Sequence, residues 1–227
     1  MFEKFKEDFD GKTVLITGGA GFIGSNLARR LVELGANVRV IDNLITGHKK
    51  NIEDLIGNGL EFIEGDIRDF ETCRSAVKGC THVSHQAALG SVPRSIDDPL
   101  LSLHINILGT TNVFFAAKEE GVKRVIFASS SSVYGSDETL PKVEDITGTL
   151  LSPYASSKRS TELIQQAFVS CYDMEIIGFR YFNVYGNGEG DKGDQASPVS
   201  KFTKQVKETG KLKLFEGSDN FLSLIHI

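Results

Sequence analysis

The residue types in this chain best placed to do chemistry are Tyr154 and Lys158, four apart in the run Ser152-Pro153-Tyr154-Ala155-Ser156-Ser157-Lys158. On a helix that spacing puts both side chains on one face, about 5–6 Å apart. An ammonium beside a phenol favours the phenolate and draws its pKa from about 10 toward neutrality. Tyr154 would then be a usable general base. The same spacing also occurs on many solvated helix faces, so the pair acquires meaning only from its surroundings. One such surrounding is the serine run Ser129-Ser130-Ser131-Ser132, which follows a predicted strand ending at Ala128. In an open α/β fold the carboxyl edge of the sheet is where ligands bind.

A second feature is the loop Gly18-Gly19-Ala20-Gly21-Phe22-Ile23-Gly24, set between the apolar run Thr13–Thr17 and a stretch with helical apolar spacing from Phe22 to Leu34. Glycines in a strand-to-helix turn permit a tight bend, close approach of the backbone to a pyrophosphate and close helix-to-strand packing, while the helix N-terminus offers free amides to negative charge. Asp42 ends the next predicted strand roughly 20 residues further on, where a carboxylate can accept hydrogen bonds from an adenosine ribose. That carboxylate favours NAD, because it repels a 2′-phosphate. Lys49 and Lys50 nearby keep NADP open as an alternative.

The elements that must position these groups alternate. Strands are predicted at Thr13–Thr17, Asn37–Asp42, Leu60–Ile63, Thr81–His85, Arg124–Ala128 and Glu175–Phe179, with helices at Phe22–Leu34 and Arg68–Val77 and near 100–120 and 153–172. Strands separated by helices imply a Rossmann-type, doubly wound α/β fold, a parallel sheet with helices on both faces. The helix near 100–120 is apolar nearly all round, so it must be buried on two sides. The second side is expected to meet the same helix pair, 100–120 and 153–172, of another subunit in a homodimer.

Bulk properties narrow the class. The 227 residues suit one large α/β domain, or one plus the start of a second, and the formal charge of −5 argues against nucleic acid or an acidic membrane as a partner. Cys73, Cys80 and Cys171 form no Cys-x-x-Cys pair, no metal site is expected, and a reducing compartment fits. The charged beginning of the chain has no apolar signal core, and no uninterrupted run of about 18 apolar residues occurs. A cytoplasmic protein without a membrane span is expected.

Taken together, Thr17 to Gly24, Asp42-Asn43, Gly65-Asp66-Ile67, His85-Gln86-Ala87-Ala88, Asn106 to Thr110, Ser129 to Gly135, Tyr154 to Lys158 and Arg180-Tyr181-Phe182-Asn183 resemble the extended short-chain dehydrogenase/reductase family, in particular its nucleotide-sugar epimerases and dehydratases. The resemblance implies a catalytic Ser130, Tyr154 and Lys158. It implies a cofactor site built from Gly18, Gly21, Phe22, Ile23, Gly24, Asp42, Asn43, Asp66, Ile67, Gln86, Ala87, Ala88, Asn106, Ser129 and Tyr181, together with Tyr154 and Lys158. Asp66 and Ile67 would frame the adenine, Asn106 would steady the helix that presents the site, and Tyr181 would sit near the nicotinamide. Ser131 and Ser132 stand where the 4,6-dehydratases of the family carry Asp and Glu. Two hydroxyls cannot supply the acid and base that eliminate water, so epimerisation through a transient ketone is expected.

For the sugar, two branches compete. Ala87 to Pro99, with Leu140 to Glu144 and Leu151 to Tyr154, is similar to UDP-N-acetylglucosamine 4-epimerases, which would put Val92 and Arg94 beside the hexose along with Ser131, Ser132 and Asn183. Gly178 to Gly186, Glu189 to Gly193 and Leu214 to Phe221 are similar to ADP-heptose 6-epimerases, with Lys192 as a second acid/base. Asn187-Gly188 replaces the Pro-Arg usual in that branch. The expected organisation is a cofactor domain over 1–180, the start of an incomplete substrate domain over 181–221, and a non-native tail over 222–227, where Leu222 to Ile227 resembles the translation of a transposon end.

Overall fold

Strand β1 (Thr13–Thr17) is where the alternation predicted from sequence becomes two cores. In the computed structural model, which describes residues 3–122, 124–189, 197–212 and 224–226, the backbone divides into two units, residues 1–180 and 181–227. A short helix α1 (Lys6–Phe9) precedes β1. There follow α2 (Phe22–Glu33), β2 (Asn37–Asp42), β3 (Leu60–Glu64), α3 (Phe70–Val77) and β4 (His82–His85). The unit continues with α4 (Val92–Asp97), α5 (Pro99–Leu103), α6 (Thr110–Glu119), β5 (Arg124–Ser130), α7 (Pro153–Cys171) and β6 (Glu175–Tyr181). The strands lie in the order β3-β2-β1-β4-β5-β6, and the pairs β1/β2, β2/β3, β1/β4 and β4/β5 are parallel. This is the Rossmann-type α/β sheet expected.

Successive residues of a strand face opposite sides, so each inner strand feeds both layers. Val14 and Ile16 of β1 join Val38 and Val40 of β2 in a core with Ala28 and Leu31 of α2. Leu15 joins Ile41, Val83, Val125 and Phe127 in the other core, covered by α3, α6 and α7. Both faces of a parallel sheet are buried, which is why these strands read as unbroken apolar runs. Phe114 of α6 anchors the second core: it is fully enclosed and meets Phe127 and Phe168 edge-on at 5.4 and 5.8 Å between ring centres.

The expected single helix near 100–120 is a composite. Asp98 caps α5 through Leu101 N–H at 3.0 Å, and a π turn over His104–Gly109 joins α5 to α6. By length and mean hydropathy (21 residues, 1.4) the stretch Pro99–Glu119 is long and apolar enough to cross a membrane. Half of it is inside the fold, where Ile105, Asn106, Val113, Phe114 and Ala117 are buried. Within one chain the other face is open: Leu100, Leu108 and Phe115 are 73%, 45% and 38% exposed.

The second unit contains β7 (Asn183–Tyr185), α8 (Pro198–Thr209) and β8 (Leu224–His226), with β7 and β8 parallel. Ser197 caps α8 by accepting from Ser200 N–H, and its own hydroxyl donates to Glu189 at 3.0 Å.

Phe114→Ala should lower the unfolding free energy by about 3–5 kcal/mol, whereas Leu100→Ala should change it by less than about 0.5 kcal/mol. Urea midpoints of the two variants check this; similar midpoints would contradict the assignment of the core.

Candidate active site

Helix α7 begins where its sequence says it must: Ser152 caps Ala155 N–H at 3.1 Å and Pro153 takes the first helical position. Tyr154 and Lys158 then lie one turn apart, with the Lys158 Nζ 6.0 Å from the Tyr154 ring centre. Lys158 is buried and donates to the backbone carbonyl of Ala128 on β5 at 2.7 Å. Burial draws its ammonium down to about 8. The Tyr154 phenol is pushed up by burial, and its hydrogen bond with Ser130 works the other way. The expectation that Lys158 pulls the phenol toward neutrality is therefore corrected. The ammonium's hydrogen bond goes to a carbonyl rather than to the phenol oxygen, and burial is the larger influence on the phenol.

Ser130 ends β5 and starts a tight turn over Ser131–Tyr134. Its Oγ accepts from Ser132 N–H at 3.2 Å and from Ser132 Oγ at 3.0 Å. The serine next to it, Ser129, donates instead to Glu162 of α7 at 2.6 Å. Asn106, in the π turn, accepts from Leu89 N–H at 2.8 Å and donates to Ser157 Oγ at 2.9 Å; Ser157 in turn donates to the Tyr154 carbonyl at 2.7 Å. Asn106 thus steadies the first turn of α7 from behind. Val92 and Arg94 lie on α4, whose Ser95 Oγ accepts from Tyr154 N–H at 3.0 Å. Tyr181 and Asn183 belong to the end of β6 and to β7, in the second unit, and Lys192 lies outside the described residues.

The glycine turn is packed to the limit. Gly18 has φ of 69°, and a Cβ there would lie 2.7 Å from the backbone of Ala87; one on Gly24 would lie 2.2 Å from the Gly18 carbonyl. Only glycine fits either place. Gly21 caps α2, Phe22 and Ile23 open it, and Ala87 N–H is held by Thr17 Oγ1 at 3.1 Å. Asp42 is buried at the end of β2, accepting from Ala20 N–H at 3.0 Å and Leu44 N–H at 2.9 Å, and burial raises its carboxyl. Asn43 donates to Asp66 at 2.8 Å, and Arg68 pairs with Asp66 at 2.7 Å and holds that carboxyl at about 2. Ile67 beside it is buried. Gln86 donates to Ser84 at 3.0 Å, but its buried Oε1 has no protein partner. A glycine cradle without room for side chains, a helix N-terminus, a terminal strand carboxylate and an orphaned amide oxygen next to Ala87 and Ala88 fit a dinucleotide.

One group was not singled out from sequence. His85 bridges Thr17 Oγ1 at 2.6 Å and Thr110 Oγ1 at 2.9 Å. Thr110 donates to the Asn106 carbonyl, so it accepts from His85 Nε2–H, and Nδ1 accepts from Thr17. That leaves Thr17 Oγ1 free to accept from Ala87 N–H. The chain works only with a neutral ring, and burial, with the Lys158 charge adding to it, lowers His85 to about 3.

Residues 14–227 match the profile of the NAD dependent epimerase/dehydratase family. The chain belongs to that family. It is 36% identical over 208 residues, 90% of its length, to a putative UDP-glucose 4-epimerase of Methanocaldococcus jannaschii, covering 67% of that protein. The solved UDP-N-acetylglucosamine 4-epimerase of Methanobrevibacter ruminantium, in complex with UDP-N-acetylmuramic acid, superposes with a TM-score of 0.89 at 33% identity, over 96% of this chain and 70% of that one. The UDP-glucose 4-epimerase of Thermus thermophilus in complex with NAD gives 0.74 at 35% identity, over 86% and 63%. The chain spans 52% to 66% of the length of three further UDP-glucose 4-epimerases.

A histidine held neutral makes stability acid-sensitive. Below its ordinary value of about 6.5 the unfolded chain takes up a proton that the folded chain refuses until about 3. Unfolding free energy should therefore fall with decreasing pH across that window by about 1.4 kcal/mol per pH unit from this group. Denaturant titrations of wild type and His85→Asn check it: the slope should be smaller in the variant, and equal slopes would contradict it.

Proposed function

We propose that the protein epimerises a nucleotide sugar, at carbon 4 of a UDP-hexose such as UDP-N-acetylglucosamine or UDP-glucose, using NAD, in the cytoplasm. The observation that carries this reading is the meeting of Ser130, Tyr154 and Lys158 at the carboxyl end of β5, in the same sheet as the glycine turn of β1. The names of the similar proteins support a UDP-hexose over an ADP-heptose.

NAD would be held by Gly18, Gly21 and Gly24 at the N-terminus of α2, by Asp42 at the ribose, by Asp66 and Ile67 at the adenine, and by Gln86, Ala87 and Ala88 along the path between. The buried Asp42 carboxylate disfavours a 2′-phosphate and so NADP. Bound NAD would supply a hydride acceptor and donor and, when oxidised, a positive charge.

The residues of this chain supply the rest. Ser130 orients the sugar hydroxyl toward Tyr154. Tyr154 Oη takes the hydroxyl proton as the carbon is oxidised and returns it when the opposite epimer forms. Lys158, with a value of about 8, is mostly protonated at pH 7 and keeps its charge next to the forming phenolate. Ser131 and Ser132 offer hydroxyls and no carboxyl group, which leaves water elimination without an acid and a base. Val92 and Arg94 of α4 are assigned to the sugar nucleotide. The exposed Leu100, Leu108, Leu163 and Val169 support pairing of α5–α6 and α7 with a second copy of the chain.

Tyr154→Phe should lower kcat by about 10²–10⁴-fold, the usual worth of a general base. NAD affinity by calorimetry should stay within about threefold. Turnover retained in that variant would overturn the role of the phenol.

A further inference from the structure

A second buried polar network lies one helical turn beyond Lys158. Glu162 of α7 is nearly enclosed, and its Oε1 accepts from Ser129 Oγ at 2.6 Å and Arg180 Nε at 2.9 Å. Its Oε2 accepts from Arg180 Nη2 and Arg159 Nη1, both at 2.9 Å. Arg180 also donates to the Glu144 carbonyl at 2.9 Å and lies 4.8 Å from the ring centre of Tyr134, the last residue of the turn that Ser130 caps. Burial raises the Glu162 carboxyl, but the bonds from Arg180, Ser129 and Arg159 outweigh it and hold the group ionised.

Buried ion pairs seldom stabilise a fold more than apolar packing of the same shape would. What this one holds is more informative. Ser129 sits between the two β5 residues that touch the reactive pair: Ala128, whose carbonyl receives the Lys158 ammonium, and Ser130, which bonds the Tyr154 phenol. Glu162 and Lys158 are four apart on the same helix, so one helix face grips the strand end at two successive residues. We propose that Glu162 is a positioning residue, which through Ser129 sets the end of β5 so that Ser130 meets Tyr154 and Ala128 meets Lys158. Its catalytic consequence rests on the epimerase reading; the geometry does not.

The test compares Glu162→Ala and Glu162→Gln with wild type, both in turnover of UDP-hexoses and in the tyrosinate absorbance of Tyr154, isolated by difference from Tyr154→Phe. Lys158 faces the phenol from its own helix, neutral His85 faces Lys158 from β4, and both are common to all variants. In Glu162→Ala, kcat should fall on the order of 10- to 100-fold, the cost of about 1 Å of misplacement, with KM within about threefold. Tyr154 should titrate at higher pH, because the Ser130 bond that lowers it is released. Loss of a nearby negative charge alone would move it the other way. Glu162→Gln keeps an acceptor for Ser129, so it should regain the wild-type titration and most of kcat while melting below wild type. A Tyr154 titration in Glu162→Ala at or below the wild-type pH, or activity that tracks melting temperature alike in both variants, would overturn the proposal. If wild type turns over no UDP-hexose but the titration rises as stated, the epimerase reading fails and the positioning role stands.

Discussion

The candidate site is organised around one hydrogen bond, from the Lys158 ammonium to the Ala128 carbonyl. It places a buried positive charge at the end of β5 and fixes α7 against the sheet. A buried ammonium is unfavourable by itself, which is why Lys158 is drawn down to about 8. The carbonyl offsets part of that cost and holds the charge on the helix face that carries Tyr154.

The sheet makes this arrangement coherent with a cofactor site. Because β1, β4 and β5 are parallel, their carboxyl ends lie on one edge: the glycine turn after Thr17, the Gln86-Ala87-Ala88 segment after His85, and the serine turn after Ser130. Neutral His85 ties the first two together through Thr17 and ties both to the helix layer through Thr110. Asn106 then connects that helix to the start of α7 through Ser157. The glycine turn and the first turn of α7 are thus joined in one hydrogen-bonded assembly.

Much of this was legible in the residues themselves. The six strands and the glycine turn announce themselves, because unbroken apolar runs and obligatory glycines are local consequences of a parallel sheet. The spacing of Tyr154 and Lys158 is visible in the sequence and acquires meaning only beside the glycine turn and the serine run. What spacing could not give was the partner of each group. The phenol's upward shift follows from burial, a tertiary property. The π turn at His104–Gly109 leaves no mark in the apolar pattern, so the sequence reads as one continuous helix. The hydroxyl of Ser129 goes to Glu162, 33 residues away in sequence. Such long-range polar pairs have no periodicity to betray them.

The central claim, oxidation and re-reduction at one sugar carbon on this chain, is tested most directly with a UDP-hexose carrying deuterium at carbon 4. Incubated with the protein and NAD in ordinary water, the label should be found by NMR at the same carbon of the inverted sugar, undiminished. Loss of the label to solvent, or its recovery only in sugar of unchanged configuration, would contradict the account.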